Sequence, residues 1–263
     1  MSSVVGMEAT DPLAAATAEQ RARDAIAANP VWYHSIELAP GIVTPGRVDL
    51  RAAANRLLPD DLSGVRALDV GTFDGFWAFE MERRGAEVMA IDLDVIGAAE
   101  WPPLSRARLT RESESLGTEL GLGFRLAGEV LRTRVERVVC SVYELDAEAI
   151  SGTVDFVFSG AILLHLRDPV RALERMHQTL RPGGELRLLE PFSPRLTLTS
   201  PRRPAASFQA AAGAFNWWVP NLAALGSYLA AASFREIERT AIMRPPSVRA
   251  MRQLYAGYRA TKA

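Results

Sequence analysis

The chain has 263 residues, 48% of them hydrophobic, and a formal net charge of −1. This length allows one large α/β domain, or one domain with an attached cap, that buries a substantial core. The balanced charge gives no electrostatic argument for binding nucleic acid or an anionic membrane surface, although a local basic patch stays open. The single cysteine, Cys140, excludes an intrachain disulfide, and because no zinc-type Cys/His cluster occurs we expect no metal.

The N-terminus lacks a basic region followed by a long apolar core, and no run of about 18 apolar residues occurs. The sequence therefore predicts neither a signal peptide nor a membrane span. A single cysteine also suits a reducing compartment, so we expect a cytoplasmic location. The oligomeric state is left open, a homo-oligomer included.

The N-terminal part of the chain differs in pattern from the rest. Residues 11–28 predict an amphipathic helix, and helical spacing returns over residues 49–58. Between them, residues 31–46 hold three adjacent ring side chains and two Pro-Gly turns, which indicate a loop with an aromatic cluster. We therefore assign residues 1–58 to an N-terminal helix and aromatic cap, and residues 59–263 to the main domain.

From residue 65 onward, strand-like and helix-like segments alternate. Strands separated by helix-sized segments imply an α/β fold with a parallel sheet and right-handed crossovers. The predicted strands cover residues 66–70, 87–91, 137–140, 154–159, 185–189, 234–242 and 252–259, and the predicted helices cover residues 76–84, 114–134, 169–180 and 221–232.

The segment after Glu190 interrupts this alternation. Residues 191–204 contain four prolines and predict an irregular excursion, which we place in an irregular insertion over residues 191–220. A second aromatic cluster, Asn216-Trp217-Trp218, lies in the same insertion.

A glycine turn follows the first predicted strand of the sheet. An apolar run reaches Asp69, breaks at Gly71 and meets a second glycine, Gly75, just before a helix-like segment. The next strand ends in another acid, Asp92. This pattern is how an α/β sheet holds an adenosine-type ligand, because glycines let the backbone approach the ligand and the acid accepts hydrogen bonds from ribose hydroxyls.

These features together resemble class I S-adenosylmethionine (SAM)-dependent methyltransferases over roughly residues 60–260. The resemblance rests on the Asp69-x-Gly71-x-x-x-Gly75 turn, Asp92, the strand over residues 155–159 and the Leu180-Arg-Pro-Gly-Gly184 turn. It implies a Rossmann-like doubly wound sheet, mostly parallel with an antiparallel last strand. It also implies that residues 59–263 form a SAM-binding methyltransferase domain that uses SAM and releases S-adenosylhomocysteine.

The chain departs from the family pattern inside the first turn. It lacks Gly-x-Gly-x-x-Gly, and Phe73 stands where many methyltransferases have glycine. The loop is therefore expected to be bulkier, with glycines kept at both ends.

A narrower resemblance is to the subgroup related to the tRNA wobble-uridine carboxymethyltransferase. It is carried by residues 32–38, 41–45, 160–169 and 216–221. Those enzymes use carboxy-SAM, and a lysine and a tyrosine help to hold its extra carboxylate. The matching positions here are His34 and Leu164. Because leucine cannot hydrogen-bond a carboxylate, the resemblance implies a relative that transfers a plain methyl group.

The residues that the resemblance implies for the cofactor lie at the carboxyl ends of strands, where open α/β sheets bind ligands. The methionine part would contact Asp69, Gly71, Thr72 and Gly75, and the ribose would contact Asp92. The adenine would contact Leu93, Ser141 and Val142, and the transferred methyl group would lie over Ser159 and Gly160. The alternative reading makes the glycines ordinary turn residues, Asp92 a helix cap and Ser141-Val142 a strand end.

Methyl transfer requires an acceptor held in line, exclusion of water and, for a hydroxyl or acidic carbon, a base. His165, directly after a strand, and His34, in the aromatic loop, are the candidate catalytic bases. The alternatives are a structural hydrogen bond for His165 and a site-lining role for His34. Candidate acceptor-binding residues are Trp32, Tyr33, Glu190, Trp217 and Trp218, and the four rings among them could equally form core.

Three functions follow as hypotheses. The leading one is SAM-dependent methyl transfer to an O, N or C atom of a small molecule, for example in specialised metabolism. The second is methyl or carboxymethyl transfer to tRNA, with Arg195, Arg202 and Arg203 lining a groove. The third is a non-catalytic module that binds SAM or S-adenosylhomocysteine, and Phe73 is its best support.

Overall fold

The computed structural model describes residues 12–116, 119–212, 215–247 and 253–263. Its helices are α1 (Pro12–Ala28), α2 (Arg51–Leu57), α3 (Phe76–Arg83), α4 (Pro103–Leu116), α5 (Leu122–Leu131), α6 (Pro169–Thr179), α7 (Pro194–Thr199) and α8 (Leu222–Ala231). Its strands are β1 (Glu37–Ala39), β2 (Ile42–Val43), β3 (Arg66–Val70), β4 (Glu87–Asp92), β5 (Glu136–Val139), β6 (Val154–Gly160), β7 (Leu180–Phe192), β8 (Ala206–Phe208), β9 (Trp218–Pro220), β10 (Arg235–Met243) and β11 (Leu254–Thr261).

Seven strands form one sheet in the order β10-β11-β7-β6-β3-β4-β5. The pairs β3–β4, β3–β6, β4–β5 and β6–β7 are parallel, whereas β11 is antiparallel to both β7 and β10. The prediction of a mostly parallel, Rossmann-like sheet with an antiparallel last strand is confirmed. The strand order reverses between β3 and β6, and such a switch point is where open α/β sheets bind ligands.

Both faces of the sheet are buried, which explains the continuous apolar runs of its central strands. Successive side chains of a strand point to opposite faces. Accordingly, Ala67 and Phe156 pack in one core with α1 and α3, and Leu68 and Val157 pack in the other core with α6 and α8. The hydrophobic pattern thus fixes which side chains face each layer of helices.

The region between β4 and β5 differs from its prediction. One helix was expected over residues 114–134, but the structure has α4 and α5 with a break between them. Gly121 precedes α5 with φ +87°, a left-handed conformation that glycine adopts readily and a helix interior does not accommodate. Residues 11, 117–118 and 252 of the predicted elements lie outside the described residues.

The predicted irregular insertion at residues 191–220 is more ordered than expected. It contains α7 and a small antiparallel pair, β8–β9. The Ser193 side chain accepts a hydrogen bond from the Leu196 N–H at 3.2 Å, and Pro194 occupies the first turn of α7. The helix α7 was not expected from four prolines, yet proline is favoured at the first position of a helix.

The Arg181–Gly184 turn loops out at the start of β7. Val154 pairs with Leu180 and Phe156 with Glu185, so one residue of β6 lies opposite four residues of β7. The turn therefore bulges out at the amino ends of these strands, and the predicted site lies at their carboxyl ends.

The N-terminal segment is packed on the sheet domain. The Trp32 side chain is buried, and its Nε1 donates a hydrogen bond to the carbonyl oxygen of Ile26 in α1 at 3.2 Å. Residues 37–43, expected as loop, form the β1–β2 hairpin. The division into a cap and a main domain stays a prediction. No helix among the described residues has the length and apolar character needed to cross a membrane.

Asn221 holds the insertion to α8, so its loss should destabilise the fold. This fully buried side chain accepts hydrogen bonds from Ala205 N and Ala224 N and donates to the carbonyls of Ser200 and Arg203. We expect Asn221→Ala to lower the free energy of unfolding by about 3–4 kcal/mol, because a helix cap is lost and buried backbone groups are left unsatisfied. Urea unfolding measures this.

Asn55→Ala is the matched control, because Asn55 is exposed and its amide oxygen accepts one bond, from Arg84 Nη2 at 2.8 Å. We expect a loss of about 1 kcal/mol there. Equal losses in the two variants would contradict the role given to Asn221.

Candidate functional site

The turn between β3 and α3 depends on a left-handed backbone. Gly71 and Gly75 have φ of +78° and +92°. A Cβ atom added at Gly71 would lie 2.9 Å from Ile162 Cδ1, and the positive φ would strain any other residue, so glycine is favoured there. Phe73 also has a positive φ, +48°, which costs a non-glycine residue about 1–2 kcal/mol. The turn therefore keeps a glycine-like path at a position that holds phenylalanine.

Two acids lie beneath this turn. Asp69 is buried and accepts a hydrogen bond from Ala78 N at 3.1 Å, and burial raises its pKa to about 7. Asp92, at the end of β4, accepts hydrogen bonds from Phe73 N and Leu93 N, each at 2.7 Å. Burial raises the pKa of Asp92 as well. A carboxylate has about four acceptor positions, so Asp92 can still accept ribose hydroxyls.

Two buried hydroxyl groups at this edge have no hydrogen-bond partner. Thr72 is 1% exposed and Ser159 is 0% exposed, and neither Thr72 Oγ1 nor Ser159 Oγ has a partner in hydrogen-bonding geometry, although the Thr72 hydroxyl lies near enough to Asp69 to lower the pKa of that carboxyl. Ser159 lies opposite Val70 in the β3–β6 pair, so the two hydroxyls belong to adjacent strand ends. A buried unpaired hydroxyl costs about 1–3 kcal/mol, and a polar ligand in the turn would remove that cost. This arrangement fits the amino-acid part of SAM.

The residues predicted around the adenine and the methyl group also lie at this edge. The Cys140 N–H donates to the carbonyl oxygen of Asp92 at 3.0 Å, which brings Ser141 and the buried Val142 beside the end of β4. A Cβ atom at Gly160 would lie 3.0 Å from Trp77 Nε1, so the end of β6 is closely covered. The fold thus assembles all the predicted cofactor positions along one edge.

Asp74, which the sequence reasoning missed, joins the turn to the N-terminal segment. It is 3% exposed, and its Oδ2 accepts hydrogen bonds from Tyr33 N at 2.6 Å and His34 N at 3.0 Å. Burial raises its pKa to about 6. The only local signal was an acid beside Gly75, and nothing in the sequence linked it to residues 40 positions away.

A row of aromatic rings extends from the turn toward β6. The Tyr33 ring centroid lies 5.6 Å from that of Phe73 and 4.7 Å from that of His34. The row continues through Phe76 to Trp77, with centroid separations of 5.7 and 4.9 Å. These rings give the N-terminal side of the site an apolar, close-packed wall.

His34 lies within this wall. It is 7% exposed, and its Nδ1 has no hydrogen-bond partner and lies 4.0 Å from Asp74 Oδ2. Burial lowers its pKa to about 3, so the imidazole is neutral near pH 7 and is a weak base. This favours the site-lining role of His34, and its role as a base stays a prediction.

His165 ends a 3₁₀ turn, Leu163–His165, that follows β6. Its Nδ1 lies 3.2 Å from the carbonyl oxygen of Phe215, and its ring packs edge-on against Trp101 with centroids 5.4 Å apart. Burial lowers the pKa of His165 below the ordinary histidine value. The ring is therefore neutral near pH 7 and is held in one orientation.

Glu190 supports this 3₁₀ turn from below. It is 1% exposed, and its Oε1 accepts hydrogen bonds from Ile162 N at 2.8 Å and Leu163 N at 2.9 Å. Burial raises its pKa from the ordinary value of 4.5 to about 8, so it is mostly protonated near pH 7. Its contact with an acceptor stays a prediction.

Tyr255 is a second residue that the sequence reasoning missed. It lies on β11 opposite Pro191, at the carboxyl end of β7. Burial, together with the charges of Tyr33 and Glu190, raises the pKa of its phenol. The sequence predicted a last strand over residues 252–259 but did not indicate that its first residues lie near Tyr33 and Glu190.

The remaining predicted ring residues have mainly structural contacts. Trp32 packs in the core, as described above. Trp217 is 7% exposed and donates from its backbone N–H to Leu164 O at 2.8 Å and from Nε1 to Glu100 O at 2.5 Å. Trp218 Nε1 donates to Arg167 O at 3.0 Å. Their acceptor-binding role stays a prediction. Within the described ranges, no cluster of His, Cys, Asp and Glu could hold a metal ion.

The raised pKa of Glu190 should make stability depend on pH. Because the folded pKa is above the ordinary value, the stabilising contribution is complete below about pH 4.5 and is lost as the pH rises to about 8. Glu190→Gln keeps an acceptor oxygen but cannot ionise. We therefore expect the free energy of unfolding of the wild type to fall by a few kcal/mol relative to Glu190→Gln across this range.

Urea unfolding at about pH 5 and about pH 8 measures this difference. Glu87→Gln, on an exposed end of β4, is the control and should show no such trend. A constant difference between the wild type and Glu190→Gln would contradict the shifted pKa.

Comparisons with known proteins identify the family. Residues 46–241 match the sequence model of a family described as "Methyltransferase domain". A ubiquinone biosynthesis O-methyltransferase of Xanthomonas oryzae pv. oryzae is 33% identical over 126 residues, which are 48% of this chain and 43% of that protein. A tRNA U34 carboxymethyltransferase of Idiomarina loihiensis is 27% identical over 179 residues, 68% of this chain and 48% of that protein. The chain spans about half the length of these relatives.

A solved structure supports the same fold. A SAM-dependent methyltransferase from Mesorhizobium loti aligns with a TM-score of 0.50 and 16% identity, over 81% of this chain and 97% of that one. Together with the family match, this confirms the prediction of a methyltransferase fold. The match to the family model covers most of the chain, and the chain therefore belongs to the methyltransferase domain family.

Proposed function

We propose that this protein transfers a methyl group from SAM to an O, N or C atom of a small-molecule acceptor. The observation that carries the proposal is the single edge at which the glycine turn, Asp92 and the unpaired hydroxyls of Thr72 and Ser159 meet an aromatic wall. The cofactor supplies a methyl group already activated on its sulfonium. The similar O-methyltransferase of Xanthomonas oryzae supports this reaction class.

The residues of the chain divide the work of binding. The Asp69–Gly75 turn and the two unpaired hydroxyls hold the amino-acid part, and Asp92 accepts the ribose hydroxyls. Leu93, with Ser141 and Val142, flanks the adenine. The close cover of Gly160 by Trp77 excludes water beside the transferred group.

On the acceptor side, the groups present are mostly uncharged near pH 7. Glu190 is mostly protonated, His34 is neutral, and the phenols of Tyr33 and Tyr255 have raised pKa values. An uncharged organic acceptor with a hydrogen-bonding group suits this environment better than a charged one, because a buried unpaired charge is costly. His165 is the candidate base for removing the acceptor proton.

The same environment favours SAM over carboxy-SAM. The resemblance to carboxymethyltransferases implies that His34 and Leu164 match the positions that hold the extra carboxylate. His34 is neutral here, and the neighbouring Asp74 carboxylate would repel another negative charge. Leucine offers no hydrogen bond. These features support transfer of a plain methyl group.

Modification of tRNA is the second candidate function. It is favoured by similarity to the Idiomarina loihiensis enzyme over 68% of this chain. Arg195, Arg202 and Arg203 are exposed near α7, where they could contact phosphates.

The cytoplasmic location and the oligomeric state also stay predictions.

Loss of the Asp92 carboxylate should weaken cofactor binding. We expect Asp92→Ala to lower the affinity for S-adenosylhomocysteine about 10- to 100-fold in calorimetry, because hydrogen bonds to a buried charged group are lost. Asp60→Ala is the control, because the Asp60 side chain is 98% exposed and follows α2, before the first strand of the sheet, and its affinity should stay within about threefold.

Transfer from isotopically labelled SAM to metabolites of a cell extract then tests the reaction itself. Label in small molecules that is absent with Asp92→Ala supports the proposal. Label in tRNA alone, with salt-dependent tRNA binding, would instead support the second candidate. A wild-type protein that binds no cofactor would contradict both.

Choice between the two cofactors should depend on Leu164. We expect the wild type to bind SAM at least about tenfold more tightly than carboxy-SAM, and Leu164→Tyr to reduce this ratio about tenfold by supplying a phenol to the carboxylate. Leu164→Phe is the matched control, since it adds the ring without the hydroxyl. A wild type that prefers carboxy-SAM would overturn the assignment of a plain methyl group.

A further inference from the structure

The hydrogen bond between His165 and the segment after the 3₁₀ residues 210–212 has a chemical consequence. His165 Nδ1 lies 3.2 Å from the carbonyl oxygen of Phe215. A backbone carbonyl can only accept, so Nδ1 must carry the proton of this bond. In a neutral imidazole the other nitrogen, Nε2, then has the free lone pair, and it is the atom able to take up a proton.

The position of Phe215 O depends on the neighbouring Trp217. The Trp217 backbone N–H donates to the carbonyl oxygen of Leu164, which directly precedes His165, at 2.8 Å. Its indole Nε1 donates to Glu100 O at 2.5 Å, and its own carbonyl accepts from Gln209 N at 2.9 Å. Because Trp217 is 7% exposed, these bonds are shielded from water.

The connection between β4 and α4, which contains Glu100, also contacts the imidazole ring of His165. Trp101 follows Glu100 directly, and its ring meets His165 edge-on at 5.4 Å and Phe215 at 6.3 Å between centroids. Arg167 lies over the Trp217 ring at 4.7 Å and pairs with Glu100 at 3.5 Å. Contacts around Trp217 therefore fix both the carbonyl that His165 donates to and the ring that packs against it.

We infer that Trp217 is a positioning residue that locks His165 as the Nδ1–H tautomer and so leaves Nε2 as the proton acceptor. Trp217 does this through Phe215 O and has no need to contact the acceptor. The tautomer itself is independent of the function proposed above. Only its kinetic consequence, that Nε2 receives the acceptor proton, rests on that proposed function.

Nuclear magnetic resonance of [15N]histidine-labelled protein tests the tautomer without any acceptor. The chain has three histidines, so each is resolved in a long-range 1H–15N spectrum, and His165→Gln identifies the signal of residue 165. Measured at about pH 8, above the ordinary histidine pKa, the wild type should show His165 protonated at Nδ1 and unprotonated at Nε2. A wild-type His165 protonated at Nε2 would overturn the inference outright.

Trp217→Phe then tests the lock, since it removes the Nε1 bond to Glu100 O and keeps an aromatic side chain and the backbone N–H. We expect an increased Nε2–H population at His165. Trp32→Phe is the matched control, since it also removes one indole bond, 3.2 Å to Ile26 O, in a different core, and it should leave the His165 signal unchanged. An unchanged tautomer in folded Trp217→Phe would contradict the role of Trp217.

With an acceptor in hand, Trp217→Phe should lower kcat about tenfold or more while the KM for SAM changes less than about threefold. A normal kcat with a shifted tautomer would show that Nε2 is not the proton acceptor. If no acceptor is methylated at all, the proposed function fails, and the tautomer result still stands on the spectrum alone.

Discussion

The site depends on one buried carboxylate, that of Asp74, which holds the N-terminal segment to the cofactor turn. Its Oδ2 accepts the backbone N–H groups of both Tyr33 and His34. Without it, two buried donors would be left unpaired, each at a cost of about 1–3 kcal/mol. The same bonds bring the Tyr33 ring to Phe73, so the aromatic wall packs directly against the cofactor turn. If the proposed function holds, Asp74 therefore couples the segment that binds the acceptor to the turn that binds the cofactor.

Desolvation dominates the electrostatics around this link. Hydrogen bonds lower the pKa values of Asp69 and Glu190, yet burial outweighs them and raises the values to about 7 and about 8. The site thus carries less negative charge than its acids suggest. Methyl transfer removes the positive charge from the sulfonium, so a site with little stabilising charge favours progress to the neutral product. Burial of Asp69 and Glu190 therefore suits the methyl transfer that we propose.

The sequence predicted the strands that carry the cofactor positions because these depend on local pattern. The apolar runs of β3, β4 and β6 are buried on both faces, and parallel pairing then brings Asp69, Asp92 and Ser159 to one edge. Contacts between distant segments were not predictable in this way. The Trp217–Glu100 bond spans 117 residues, and the Asp74–Tyr33 bond spans 41. Hydrophobic periodicity says which face is buried but does not say which polar groups meet there.

The departure from the family pattern at Phe73 illustrates how local sequence can mislead about function. A phenylalanine in the glycine turn supported a non-catalytic module, because it could distort the cofactor loop. Its backbone instead takes φ +48°, and its N–H donates to Asp92 at 2.7 Å. The strain of about 1–2 kcal/mol is comparable to the gain of about 0.5–1.5 kcal/mol from an aromatic pair such as that with Tyr33, added to this hydrogen bond. Since the turn keeps a glycine-like path and gains a contact to the aromatic wall, Phe73 no longer supports the hypothesis of a non-catalytic module.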